Sequence, residues 1–147
     1  MWTSMLIGEY THKIDPKKRL AIPAKFRKEI GDKAVLTRGL DNCLFLFPMG
    51  EWQSFAEKLA KLPIGQQNSR SFSRIMLAGA AEAELDSLGR ILIPDYLKNY
   101  ANLKKRAVIA GLFTRCEIWD EEAWREYQKI AEKSSGDIAE KLSQMGI

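Results

Sequence analysis

Apolar and polar positions alternate with a period of two from Gly8 to Asp15. Tyr10, His12 and Ile14 fall on one face, Thr11 and Lys13 on the other, which predicts a half-buried strand. Pro16-Lys17-Lys18 carries turn chemistry, and Arg19 to Ile22 predicts the returning strand of a hairpin. Pro23 ends that strand and, placed at the first helical position, suits a short helix over Ala24 to Ile30 that Gly31-Asp32 stops. Ala34 to Thr37 and Cys43 to Phe47 predict two further strands around a loop, Arg38 to Asn42, whose Gly and Asn accept positive φ. From Met49 to Leu62 the period becomes helical, with Trp52, Phe55, Ala56, Leu59 and Leu62 on one stripe before Pro63 and Gly65. Asn68 to Ala80 predicts a second helix, striped by Phe72, Ile75, Met76, Gly79 and Ala80. Gly79 among alanines suggests either close backbone packing or a hinge.

The pattern then restarts. Ala81, Ala83 and Leu85 alternate as Tyr10, His12 and Ile14 do, Arg90 to Ile93 predicts a strand, and Asp95 to Tyr100 a short helix behind Pro94. Arg106 to Ala110 and Cys116 to Trp119 predict strands around a loop, Gly111 to Arg115. Asp120 caps a last helix with Glu121 and Glu122 in its first turn and a stripe of Trp124, Tyr127 and Ala131, with Ile130 adjacent. Ser134-Ser-Gly136 breaks it, and Ile138 to Met145 is either a short amphipathic segment or a frayed tail. Asp15, Arg19, Ile22 and Pro23 recur as Asp86, Arg90, Ile93 and Pro94 at an offset of 71. Gly39, Leu40 and Trp52 recur as Gly111, Leu112 and Trp124 at 72, so one residue is inserted between. The chain is therefore a tandem ββαββα repeat. Each unit is too small for a core of its own, so the two are expected to interlock about a pseudo-twofold axis. The expected class is α+β with a mainly β, barrel-like body and helices packed outside.

Composition narrows the function. Apolar residues at 46% and charged residues at 29% describe an ordinary soluble chain. No apolar run is long enough to span a bilayer, the N-terminus lacks a signal-peptide pattern, and Ser143 to Ile147 is no prenylation motif; the expectation is a cytoplasmic protein without a membrane partner. Cys43 and Cys116 make no disulfide framework and read as small buried hydrophobes. One His and two distant Cys build no zinc site, and His12, on the apolar face, reads as a packed side chain. There is no phosphate loop, dinucleotide fingerprint or nucleophile beside a base, so no enzyme activity, cofactor, metal or small-molecule substrate is expected.

Charge is uneven: residues 1–75 carry a net +6 and residues 76–147 a net −2. Lys13, Lys17, Lys18, Arg19, Lys25, Arg27 and Lys28 are opposed in their run by Asp15 alone. That run is either a footprint for a polyanion, nucleic acid first, or a solvated surface. In each repeated turn the Asp can accept from backbone N–H groups two or three residues on, and the Arg starts the returning strand beside it. Asp15 and Asp86 would then lock the tips and turn Arg19 and Arg90 outward, or serve as turn clamps only. Gly89 suits a positive φ, but its counterpart is Lys18, where a side chain costs about 1 kcal/mol or more. Either the first turn has another geometry or Lys18 is kept for its charge. The first tip holds Lys17, Lys18 and Arg19 against Arg90 alone in the second, so it should make more phosphate contacts.

Gly8-Glu-Tyr, Ile14-Asp15-x-x-x-Arg19-Leu-x-Ile-Pro23-Ala-Lys-Phe-Arg27 and the second Asp86-x-x-x-Arg90-Ile-x-Ile-Pro94 strongly resemble the MraZ family, from about Met5 to about Lys129. These are bacterial transcriptional regulators of the division and cell-wall gene cluster, built from two SpoVT-AbrB domains. The resemblance implies domains over residues 7–50 and 79–122, connecting helices over 51–78, and a C-terminal helix and tail over 123–147. It implies tandem AbrB-like repeats in a double-split, swapped-hairpin β-barrel and a homo-oligomeric ring. It also implies repression of the protein's own operon by binding short direct repeats in promoter double-stranded DNA, hence a place at the nucleoid. Carried over by position, Arg19 and Arg90 would contact DNA with Lys13, Lys17 and Lys18 beside them, Asp15 and Asp86 would orient the arginines, and Gly89 would shape the turn; Lys18 departs from the family's Gly. A protein-interaction scaffold, or an antitoxin-like partner-binding domain, is the alternative.

Overall fold

The computed structural model describes residues 6–147. Its strands are β1 (Leu6–Lys13), β2 (Arg19–Ala21), β3 (Lys33–Arg38), β4 (Leu44–Pro48), β5 (Ala81–Glu84), β6 (Arg90–Leu92), β7 (Arg106–Phe113) and β8 (Cys116–Asp120). The helices are α1 (Ala24–Ile30), α2 (Met49–Ala60), α3 (Gln67–Ser73), α4 (Asp95–Tyr100), α5 (Glu121–Lys133) and α6 (Ser135–Ser143). Six strands form an antiparallel sheet in the order β1-β7-β8-β4-β3-β5, and β2 pairs with β6 in a separate ribbon.

This order exchanges strands between the halves. β1 pairs along its length with β7 of the second half, from Leu6 opposite Phe113 to Lys13 opposite Arg106. β5 pairs reciprocally with β3 of the first half. β4 and β8 meet at the middle of the sheet, and β2 crosses β6 with Leu20 opposite Ile91. The pseudo-twofold axis therefore runs through the β4–β8 seam and the ribbon. Neither half could satisfy its backbone alone, since each depends on the other for a strand partner.

The α+β class with a mainly β core holds. The expected barrel is not one closed ladder. β1 and β5 are the outer strands of the large sheet, and the ribbon spans the gap with single links, an Ile14–Leu20 bridge and the Asp86 N–H donated to the Arg90 carbonyl at 2.9 Å. Hydrophobic alternation explains the two-sided packing. One sheet face, with Leu36, Leu44, Leu46, Ile109 and Ile118, packs against Leu20, Ile22, Ile91 and Ile93 of the ribbon and against Phe26 and Leu97 of α1 and α4. The other, with Phe45, Phe47, Val108 and Trp119, is covered by Trp52, Phe55 and Leu59 of α2, by Met76 and by Trp124 of α5.

Several expectations shift in detail. Pro23 and Pro94 stand just before their helices with extended ψ values of 138° and 148°, not at the first helical position; their carbonyls accept from Phe26 and Leu97. The second connecting helix is α only to Ser73 and then widens into a π-helical stretch, Arg74–Ala78, with Ile75 turned outward. Thr37 Oγ1 donates to the Met76 carbonyl at 2.7 Å there, supplying a partner to the altered turn. Gly79 is a close-packing site: a Cβ would strike the Arg38 guanidinium, which lies between the Tyr96 and Tyr100 rings. Gly111 to Phe113 are strand, not loop, because β7 follows β1 to Leu6, and a Cβ on Gly111 would lie 2.6 Å from the Leu6 backbone. Ile130 points to solvent and Tyr127 only leans on Trp119, so the α5 stripe is narrower than its spacing implied. The tail is helical through α6.

Candidate nucleic-acid interface

The two D-x-x-x-R turns have one geometry. In the first, Asp15 Oδ1 accepts from the backbone N–H of Lys17 at 3.0 Å and of Arg19 at 2.8 Å, while Oδ2 accepts from Arg19 Nε at 2.7 Å. In the second, Asp86 Oδ1 accepts from Leu88 at 3.0 Å and Arg90 at 2.9 Å, and Oδ2 from Arg90 Nε at 2.8 Å. Lys18 takes φ 64° where Gly89 takes 75°, so the missing glycine changes the strain of the first turn and not its shape. The backbone N–H of Arg19, then its guanidinium and the Lys17 N–H, hold the Asp15 carboxyl below its ordinary range against the opposing effect of desolvation. The Arg90 N–H and guanidinium and the Leu88 N–H do the same for Asp86.

The ribbon brings the turns together. Its ladder runs on past the strand ends: Ile22 N–H donates to the Gly89 carbonyl and Ile93 N–H to that of Lys18, both at 2.9 Å. Alternation then buries Leu20, Ile22, Ile91 and Ile93 and turns Arg19, Ala21, Arg90 and Leu92 to the opposite face. Arg90 Nη1 also lies 3.9 Å from Asp15 Oδ2, so the first carboxylate faces both arginines. Each Asp occupies the Nε edge of its arginine, and among the described residues neither Nη group of Arg19 is hydrogen-bonded. The forks are thus pre-oriented to meet a planar acceptor pair.

The surrounding cations are less alike than their spacing implied. Lys18 is paired with Asp95 at the start of α4, so part of the first tip's charge is offset within the fold. Arg27 is held inward, its Nε donating to the Ile22 carbonyl at 2.8 Å, and its guanidinium lies where a Cβ of Gly89 would be. Lys13, Lys17, Lys25 and Lys28 are exposed, and among the described residues they enter no ion pair. Sequence reasoning missed both Asp95 and the contact of Arg27 with Gly89, because each joins residues of different halves. The signal available was the offset of 71, which matches Lys18 to Gly89 and Ala24 to Asp95.

Among the described residues no second centre forms elsewhere. His12 is half-buried on the parity of Tyr10 and Ile14. Cys43 and Cys116 are buried and free, and burial raises both thiols, that of Cys116 to about 12. Among the described residues no group of His, Cys, Asp and Glu side chains could hold a metal, and no helix is long and apolar enough to cross a membrane.

A family model described as "MraZ protein, putative antitoxin-like" matches residues 5–75 and again 76–145, one match for each copy of the turn. The chain is 50% identical to "Transcriptional regulator MraZ" of Caldanaerobacter subterraneus subsp. tengcongensis over 143 residues, covering 97% of this chain and 100% of the relative. It is 50% identical to the protein of that name from Natranaerobius thermophilus over 138 residues, 94% and 96% of the two chains. It is 48% identical to that from Clostridium acetobutylicum over 143 residues, 97% and 100%. With its doubled turn, its interlocked halves and these near full-length matches, the chain belongs to the MraZ family.

Proposed function

We propose that this protein is a transcriptional regulator that binds double-stranded DNA sequence-specifically through its paired D-x-x-x-R turns. The observation that carries the reading is the ribbon: Arg19 and Arg90 lie at diagonal positions of its outward face, each aimed by its own carboxylate. A two-stranded ribbon fits the major groove, and an arginine fork pairs bidentately with guanine O6 and N7. Each clamped arginine is partly neutralised by its Asp, so it supplies selectivity more than charge. Lys13, Lys17, Lys25 and Lys28 supply phosphate contacts, with Lys18 reduced by Asp95. The names of its relatives support regulation of transcription. In this reading each turn belongs to one SpoVT-AbrB domain. The protein represses the division and cell-wall gene cluster that includes its own operon, works in the cytoplasm at the nucleoid, and assembles as a ring. In such a ring, repeated weak ribbons would engage short direct repeats through effective concentration.

The test is a gel-shift titration against the DNA upstream of its own gene, at several salt concentrations, with the protein's mass in solution measured alongside. Binding should weaken steeply with salt, and Arg19→Ala and Arg90→Ala should each lose specific binding with unchanged circular dichroism. Wild-type affinity in both variants would sink the site assignment. A partner-binding scaffold is the second reading, supported by the family description and by exposed Tyr127, Ile130 and Ile138 on α5 and α6. A single tight protein partner with no DNA shift would favour it.

A further inference from the structure

The outward face of the ribbon is not symmetric. Arg19 and Arg90 are equivalent under the pseudo-twofold, but Ala21 and Leu92, also equivalent, differ by an isopropyl group. Leu92 is 60% exposed, although the ladder holds it and its neighbours Ile91 and Ile93 are fully buried. It is the directly opposed cross-strand partner of Arg19, so the two side chains stand next to each other on one face. Leu92 also lines a shallow depression with Pro16, Lys17, Lys18 and the Asp95 that pairs with Lys18, which places this apolar surface beside the first tip. An exposed leucine there adds nothing to the core.

We propose that Leu92 is a specificity residue of the DNA interface, meeting the 5-methyl group of a thymine beside the guanine read by Arg19. The inference rests on the DNA-binding reading above and extends it. The major groove presents the thymine methyl at the level of the guanine O6 and N7 acceptors, and apolar side chains are its natural partners. With an arginine and a leucine at one end of the ribbon, and an arginine and an alanine at the other, the two ends demand different base steps. A pseudo-symmetric ribbon thereby acquires a direction along the DNA. Ala21 offers only a methyl group from its end.

The experiment compares the upstream duplex made with thymine and the same duplex made with deoxyuridine, which removes only the 5-methyl groups. Both are titrated with wild type and with Leu92→Ala at one salt concentration, and the mass of each protein in solution is measured. Wild type should bind the deoxyuridine duplex about fourfold more weakly, the effect of one buried methyl-sized group. Leu92→Ala should bind the thymine duplex correspondingly weakly and no longer distinguish the two, at unchanged mass. Equal binding of both duplexes by wild type, or an undiminished thymine preference in Leu92→Ala, overturns the contact while leaving the arginine reading in place. A Leu92→Ala protein of altered mass with its thymine preference intact assigns Leu92 to subunit contact instead. Absence of specific binding by wild type to either duplex overturns both readings.

Discussion

Replacing Gly89 with Ala tests how the two turns depend on each other. The φ of 75° lies in the left-handed region, where a side chain costs about 1–2 kcal/mol. The reduced freedom of the unfolded chain returns about 0.4–1 kcal/mol. The new Cβ also falls on the Arg27 guanidinium, whose Nε holds the Ile22 carbonyl at 2.8 Å. Displacing that charged hydrogen bond, which is partly exposed, costs about 1.5 kcal/mol. The net expectation is a loss of about 1.5–3 kcal/mol. With a urea dependence of about 1–3 kcal/mol per molar, the denaturation midpoint should drop by roughly 1 M. Lys18→Ala is the internal control. It leaves the backbone strain at φ 64° unchanged and removes only an exposed ion pair with Asp95, worth about 0–1 kcal/mol. On an Arg27→Ala background the Gly89→Ala cost should shrink to the backbone part, and the difference is the coupling between turn and helix. All midpoints must be read at one protein concentration, since self-association would shift them. A Gly89→Ala midpoint within about 0.2 M of wild type, or an equal loss from Lys18→Ala, would refute the reasoning.

Acid should loosen the turns. Asp15 and Asp86 are held below the ordinary 3.8, so their contribution to stability is complete above that value and lost as pH falls through the lower folded-state values. Stability followed from about pH 5 to about pH 2 should decline more steeply for wild type than for Asp15→Asn with Asp86→Asn; parallel curves would contradict this. Both thiols should resist alkylation at neutral pH, at rates roughly a thousandfold below those in denaturant. Burial raises Cys116 to about 12 and Cys43 further; a fast native reaction at either would show that its site opens. A fragment of residues 1–75 lacks β7 for β1 and β5 for β3. It should be unfolded or self-paired by circular dichroism and solution mass, and a folded monomer would contradict the exchanged pairing.

The elements were largely legible in the chain because each has a local cause. Period-two alternation marks β1 and β5, helical spacing marks α2 and α5, and the recurrence of Asp15 and Arg19 at Asp86 and Arg90 exposes the duplication. The clasp of each Asp on its own turn and Arg was equally accessible, because it needs no distant partner, although the second backbone donor is the N–H four residues on and not three. Elements bounded by long-range packing were less so. β7 runs through Gly111 because β1 supplies its partner, and the connecting helix widens after Ser73 where Thr37 and Arg38 of β3 meet its carbonyls.

The order of strands, the pairing of Lys18 with Asp95, the collision reserved for Gly89 and the pairing of Arg19 with Leu92 all join positions in different halves of the chain. Periodicity records which face of an element is apolar, and it carries no record of which other element covers that face. That choice belongs to tertiary structure, where backbone groups left open in one half are closed by the other. The residues of the proposed site could therefore be named from the chain, while their meeting on one ribbon with unequal ends was settled only when the halves exchanged strands.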